Sequence, residues 1–381
     1  MGLNTNSGSV AFISNRVNQR YLMRATIECG YKVVCFSARS QSDDFESGVE
    51  VIKYEGFKGG LFFIFDLFSA FKALKRVSPE LVVLKGINYK SYVWHLASTL
   101  LRVKTIAYHQ NGIYISRRNR RYWYLQGVRL SAFLGLFPRV GYSPSIGNPS
   151  CRTKPLPSHI FVPFAVVSES SSCLDPSVFS QEGFKIVFVT KRQGKPVHVS
   201  KDKEWFRKRA DLFSKAVSKL SSLYRVEILV AIKNGDDQHV DHMRELLNSD
   251  GFKGVCHIKP SIPNDILKKY MKQASLFVLA SEKESAAWSH LESFQSGTPV
   301  VVTSDNGTSI GYVAPPRGKI FKSGDCSDLF HAMRFFAESD TNVLKGRKDA
   351  LDFVNHELDP KRVATSVLSL AGLEPWRNLM H

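Results

Sequence analysis

Residues 276–302 read LFVLASEKESAAWSHLESFQSGTPVVV. Leu276–Ala280 is apolar and short, as a strand buried on both faces must be. A polar loop holding Glu284 follows, then a helical pattern over Ser289–Ser296 that carries Glu292. Gly297 stops that helix, and Pro299–Thr303 is a second apolar strand. Strand, helix and strand in this order form a βαβ unit, whose two strands run parallel.

The same alternation extends outward in both directions. Upstream, Lys185–Thr190 is a strand, Trp205–Leu223 a helix, Val226–Ala231 a strand and Asp265–Gln273 a helix. In the first half, strands are expected at Val10–Ser14, Lys32–Ser37, Leu81–Leu84 and Thr105–Tyr108. Helices are expected at Gln19–Glu28, Leu61–Val77 and Tyr89–Leu101. Near Ile160–Pro163 the pattern lapses into a Ser-rich stretch before restarting, as at a linker between domains. The expected organisation is an N-terminal Rossmann-like domain over 1–163, a linker over 164–183, and a second doubly wound domain over 184–355. A final helix within 356–381 is expected to cross back. Ligands of such sheets bind beyond the carboxyl ends of the strands, so with two domains the expected site is a cleft between them.

Composition narrows the partners. The 381 residues hold 52 Lys plus Arg against 34 Asp plus Glu, a formal charge of +18. That excess favours nucleic acid, anionic lipid or phosphorylated substrates. Six cysteines are scattered without a C-x-x-C pair, which argues against a zinc site and for a reducing compartment. Met1–Ser9 is polar and leads straight into a strand, unlike a secretory signal.

Glu284 and Glu292 stand seven residues apart, a spacing that chance supplies about once in a chain of this length. Their setting is the informative part. Strand, acidic loop, helix and G-T-P-V-V strand together resemble the E-x7-E region of retaining GT-B glycosyltransferases, especially glycosyltransferase family 4 (group 1). Asp305-Asn306-Gly307 fits the loop that follows in that family. The resemblance covers most of 184–335, and the N-terminal half only in outline. It implies a GT-B fold of two Rossmann-like parallel-sheet domains. It also implies transfer, with retention, from a nucleotide-diphosphate sugar to a glycan or lipid-linked acceptor, as in bacterial cell-surface polysaccharide or glycolipid synthesis. The expected location is the cytoplasm, with peripheral attachment at the inner face of the cell membrane left open.

Residue roles follow from the resemblance together with simple chemistry. Backbone N–H groups at a helix N-terminus, expected around Ser285, Ala286 and Ala287, favour the donor diphosphate. Glu284 on the preceding loop can accept hydrogen bonds from sugar hydroxyls. Eight helical residues would carry Glu292 about 12 Å further, and the family uses its second Glu on the ribose. The family places an Arg and a Lys after the first strand of this domain, so Arg192 and Lys201 are the expected diphosphate cations, with Lys195 or Lys203 as substitutes. The family has Gly near Ala287, and a Gly-rich loop where this chain has Ser14–Asn18; both departures are at donor contacts. No D-x-D occurs, so no metal is expected, nor any other cofactor. His109, at the end of the Thr105–Tyr108 strand, corresponds to a family His beside the transferred sugar.

Arg117, Arg118, Arg120 and Arg121 run into Trp123 and an apolar stretch. Such a segment suits a helix lying on an anionic membrane, or equally a core-facing helix with a solvated basic end. Two rivals remain open: a GT-B-fold sugar-nucleotide 2-epimerase, and a non-catalytic nucleic-acid-binding protein. The aromatics form no recognised RNA-binding pattern and the basic residues spread over both halves, so nucleic acid is the less favoured partner.

Overall fold

The computed structural model describes residues 8–13, 19–37, 48–54, 62–86, 89–108, 127, 129–143, 159–166, 178–180, 182–191, 208–282, 284, 287–307 and 309–374. The chain divides into two compact units. Unit 1 comprises 1–146, 151–167 and 356–381, and unit 2 comprises 147–150 and 168–355.

Unit 1 is built on a parallel sheet of seven strands: β1 (Ser9–Ile13), β2 (Lys32–Ser37), β3 (Val49–Lys53), β4 (Leu81–Lys85), β5 (Lys104–Tyr108), β6 (Gly141–Ser143) and β7 (His159–Phe161). Their order is β3-β2-β1-β4-β5-β6-β7. Side chains of successive strand residues point to opposite faces, and each face is covered. Val10, Phe12, Leu81 and Val83 pack under α1 (Arg20–Glu28) and the last helix of the chain, Pro360–Leu370. Ala11, Ile13, Val82 and Leu84 pack on the other face under α2 (Phe63–Val77) and α3 (Tyr89–Leu100). Phe164, Ala165 and Val166 are also buried in this unit, so it continues past residue 163, where the sequence pattern changes.

Unit 2 repeats the plan with β8 (Phe184–Lys191), β9 (Val226–Lys233), β10 (Val255–Pro260), β11 (Leu276–Leu279), β12 (Val300–Thr303) and β13 (Gly318–Phe321). All pair in parallel, in the order β10-β9-β8-β11-β12-β13. Its helices are α4 (Ala210–Ser221), α5 (Asp237–Ser249), α6 (Asn264–Gln273), α7 (Trp288–Gln295), α8 (Ser309–Tyr312), α9 (Cys326–Ala337) and α10 (Asp340–His356). The remaining helix, α11 (Pro360–Leu370), is the one in unit 1. Ile186, Phe188, Ile228, Val230, Leu276 and Val278 join Phe213 and Val217 of α4 and Met333 and Phe336 of α9 in one core. Each fully buried side chain of this kind stabilises the unit by about 1.5–3 kcal/mol.

Several helix starts are set by side-chain caps. Asp236 accepts from the His239 N–H, Asp325 from the Asp328 N–H, and Asp359 from the Arg362 N–H. The segment 178–180 is tied to unit 2 through Glu227 on β9, which accepts the Ser180 N–H at 2.9 Å, the Ser180 hydroxyl at 2.7 Å and His257 Nε2 at 2.8 Å. Among the described residues, no helix is long and apolar enough to cross a membrane.

Candidate nucleotide-sugar site

Parallel sheets of this order open a crevice where successive connections leave in opposite directions. In unit 2 that point lies between β8 and β11, which pair through Leu276–Ile186, Phe277–Val187 and Val278–Phe188. Lys208 stands two residues before α4, in the connection that follows β8, and Glu284 stands in the connection that follows β11. Lys208 Nζ and Glu284 Oε1 meet at 2.5 Å across the crevice, with side chains only 15% and 13% exposed. At that degree of shelter the pair is screened far less than a surface salt bridge.

A second pair sits beside the first. Arg209 donates to both carboxylate oxygens of Asp211 at 3.0 Å and also to Glu282. Hydrogen bonding to Asp211 and then to Glu282, against the opposing effect of burial, raises the Arg209 pKa above its ordinary value. The Arg209 backbone is left-handed (φ 52°) and forms the N-cap of α4. Two consecutive cations thus fasten two carboxylates of the 281–284 loop to the start of one helix. The Glu284 carbonyl also accepts from the Gly307 N–H at 2.8 Å, which ties in the loop after β12.

The floor of the crevice is polar. Thr190 near the end of β8 and Ser281 just after β11 are buried, and among the described residues neither hydroxyl has a hydrogen-bond partner.

Glu292 lies on α7 and accepts from Asn264 Nδ2, at the start of α6, at 2.9 Å. Ala287 is the extended N-cap of α7 (φ −92°, ψ 116°) and provides no side-chain cap. The helix itself begins at Trp288, directly after Ala287. The stretch from Glu284 to Glu292 is therefore only partly helical. The 12 Å rise expected for eight helical residues does not apply.

His290 on α7 is fully buried between the Phe294 and Tyr312 rings, at centroid distances of 5.9 and 5.8 Å. Burial pushes its pKa down to about 3, so it is a neutral packing group beneath the site.

Lys208 and Arg209 escaped the sequence reading. The expected cations Arg192 and Lys201, with Lys195 and Lys203, lie outside the described residues, as do Ser285, Ala286 and His109. Arg117, Arg118, Arg120, Arg121 and Trp123 also lie outside them. Among the described residues, no cluster of three or more His, Cys, Asp or Glu side chains could hold a metal ion.

Residues 186–349 match the family model of glycosyl transferases group 1. The match lies within unit 2 and spans less than half of the chain. No curated protein matches the chain in sequence. Solved structures share its fold from end to end. A glycosyltransferase from Rickettsia africae aligns with a TM-score of 0.68 at 11% identity, over 96% of this chain and 98% of the other. Anabaena HepE, solved with UDP and glucose, aligns with a TM-score of 0.66 at 14% identity, over 96% and 100%. The lipopolysaccharide outer core galactosyltransferase WaaB aligns with a TM-score of 0.64 at 12% identity, over 95% and 99%. At these identities the likeness establishes the GT-B fold. With the matched domain, it makes the chain a glycosyltransferase-type enzyme.

Proposed function

We propose that this glycosyltransferase moves a sugar from a nucleotide-diphosphate donor to a glycan or lipid-linked acceptor. The setting would be the cytoplasmic face of a bacterial cell, in the synthesis of a surface polysaccharide or glycolipid. The observation that carries the reading is the Lys208–Glu284 pair across the switch point of unit 2. A cation and a carboxylate set side by side suit a ligand that is anionic at one end and hydroxylated at the other. The likeness to HepE, solved with UDP and glucose, supports a donor of that class.

In this reading Lys208 and the N–H groups at the start of α7 meet the diphosphate, and Glu284 turns to the hydroxyls of the transferred sugar. Glu292 takes the ribose hydroxyls, with Asn264 orienting its carboxylate. On transfer, the bond between the anomeric carbon and the diphosphate oxygen breaks, and its electron pair leaves with the nucleotide. The acceptor hydroxyl oxygen bonds to that carbon and its proton is released. Charge on the departing diphosphate is stabilised by fixed cations and dipoles, so the reaction runs without a divalent metal. Retention of anomeric configuration is the expected outcome.

The deciding experiment incubates the purified chain with a panel of nucleotide sugars and follows both donor consumption and binding. One donor is expected to be bound and turned over, with EDTA leaving the rate unchanged and Glu284→Ala abolishing turnover; His109→Ala is the companion variant. Absence of nucleotide-sugar binding by calorimetry would sink the reading. Conversion of the donor to an isomeric nucleotide sugar, without an acceptor, would replace transfer with epimerisation.

A further inference from the structure

Helix α2 is apolar on the side where a surface helix should be polar. Its inner face is already used: Asp66, Ala70 and Leu74 are buried against unit 1, and Asp66 accepts the Tyr89 hydroxyl at 2.9 Å. Its outer face nevertheless presents Ile64, Phe65 and Phe68, which are 75%, 70% and 60% exposed. One turn further along, the same outer face turns cationic with Lys72, Lys75 and Arg76, and Lys72 Nζ stands 5.7 Å from the Phe68 ring centroid. Asp66, the only acidic residue of this helix, points inward. A helix that is apolar on both faces belongs in a core or against an apolar partner.

A second exposed apolar group adjoins it. The helical turn at 129–133 and the residues after it expose Leu130, Phe133 and Leu134, Phe133 to 77%. Helix α3 brings the two together. Tyr89 bonds Asp66 of α2, and Tyr92, one turn later, donates to the Ser131 hydroxyl at 3.2 Å. The two groups therefore flank the same end of α3, with six large hydrophobic side chains exposed between them.

Charge identifies the occupant. Between Glu80 and Glu169 the sequence holds no Asp or Glu and twelve Lys or Arg. Beside this surface, among the described residues, α3 and the 129–139 segment contribute Lys90, Arg129 and Arg139 and no acidic residue, and Asp66 of α2 is turned inward. A second copy would oppose like charges across the contact. We infer that the outer face of α2, with the 129–136 segment, docks on an anionic lipid bilayer. The aromatic and aliphatic side chains enter the headgroup boundary, and Lys72, Lys75 and Arg76 meet the lipid phosphates. The surface lies wholly within unit 1 and is independent of the donor site in unit 2.

The test is co-sedimentation of the full chain with vesicles of phosphatidylcholine, alone or mixed with phosphatidylglycerol. Sedimentation is expected only with the mixed vesicles, and weakens as salt rises from about 0.1 M to about 0.5 M. Neutralising the three cations of α2 (Lys72→Gln, Lys75→Gln, Arg76→Gln) lowers partitioning by about a hundredfold. Replacing the rings (Phe65→Ser, Phe68→Ser) also lowers it, at any salt concentration. All five side chains are exposed; unchanged circular dichroism and melting temperature of each variant verify the fold. A separate Phe68→Cys variant carrying a polarity-sensitive dye shifts its emission to the blue on mixed vesicles. The inference is overturned if the wild-type chain ignores mixed vesicles, or if both substituted forms bind like wild type. It also falls if the dye does not shift, or if light scattering shows a dimer that Phe65→Ser and Phe68→Ser dissociate. Nucleotide-sugar binding, measured in parallel, is expected to be unchanged in every variant, so either reading can fail alone.

Discussion

Lys208 and Glu284 are 76 residues apart in sequence, and their side chains form a 2.5 Å ion pair at the switch point of unit 2. The pair sets two expectations that differ in kind. Lys208→Met removes a cation from the diphosphate and is expected to raise the donor Kd or KM by at least about tenfold, the worth of one charged hydrogen bond. Glu284→Gln keeps the shape and loses the charge. It is expected to lower kcat while leaving the Kd for the nucleoside diphosphate alone within a few-fold. Steady-state kinetics with calorimetry on both variants separate these effects. Wild-type kinetics in both would remove the pair from the site.

The turn after α7 offers a test of backbone conformation. Gly297 has φ +69°, and a Cβ there would come within 3.1 Å of Leu351 Cγ. Gly297→Ala is expected to cost about 1–2 kcal/mol, from left-handed strain together with crowding. A denaturation midpoint equal to that of wild type would show that the turn relaxes.

Gly297 was legible from sequence because it closes a helical pattern immediately before Pro299 and an apolar strand. The strands were legible for a related reason: a strand buried on both faces must be continuously apolar, so Leu81–Leu84, Leu276–Leu279 and Val300–Val302 stand out. Lys32–Ser37 was placed to the residue. Helix starts were harder. The sequence extends α4 back to Trp205, whereas the left-handed Arg209 is its N-cap and Ala210 its first residue; nothing in an Arg side chain announces that backbone. The pairing of Lys208 with Glu284 was not legible either, since it depends on β8 and β11 lying side by side with α4, β9, α5, β10 and α6 between them in sequence. Arg192 and Lys201 were chosen from the family resemblance, and both lie outside the described residues. β3, β6, β7, β10, β13, α5, α8, α9 and α10 were not anticipated; β3 is a half-exposed edge strand, and β6 and β7 span only three residues each, too short for a periodic signal.

Arg347 on α10 is half-buried, and its guanidinium ties the end of α6 to the turn after α7. It donates to the Lys272 carbonyl at 3.1 Å, the Gly297 carbonyl at 3.4 Å and the Ala274 carbonyl. Burial lowers its pKa from the ordinary arginine value. Those carbonyls close α6 and the turn after α7, the elements that carry Asn264 and Glu292. Arg347→Met would remove these charged hydrogen bonds, with an expected loss of about 2–3 kcal/mol. Arg347→Lys should recover only part of it, because an ammonium cannot span the same fork of acceptors. Urea denaturation of the three proteins measures the series, and equal midpoints would contradict the role.

His290 should make stability depend on pH in a defined window. Burial between Phe294 and Tyr312 pushes its pKa down to about 3, from the usual 6.5. Below pH 6.5 the unfolded chain therefore binds a proton that the folded chain refuses. The contribution is fully present above pH 6.5 and is lost as pH falls from there toward 3. Between pH 7 and pH 5 the loss is on the order of 2 kcal/mol from this residue alone. His290→Leu removes the titrating group while filling most of the same space. The variant is expected to lose less stability than wild type on acidification, whatever its stability at pH 7. Chemical denaturation at pH 5, 6 and 7 gives the two slopes. If they are parallel, His290 is protonated in the folded protein and its burial has been misjudged.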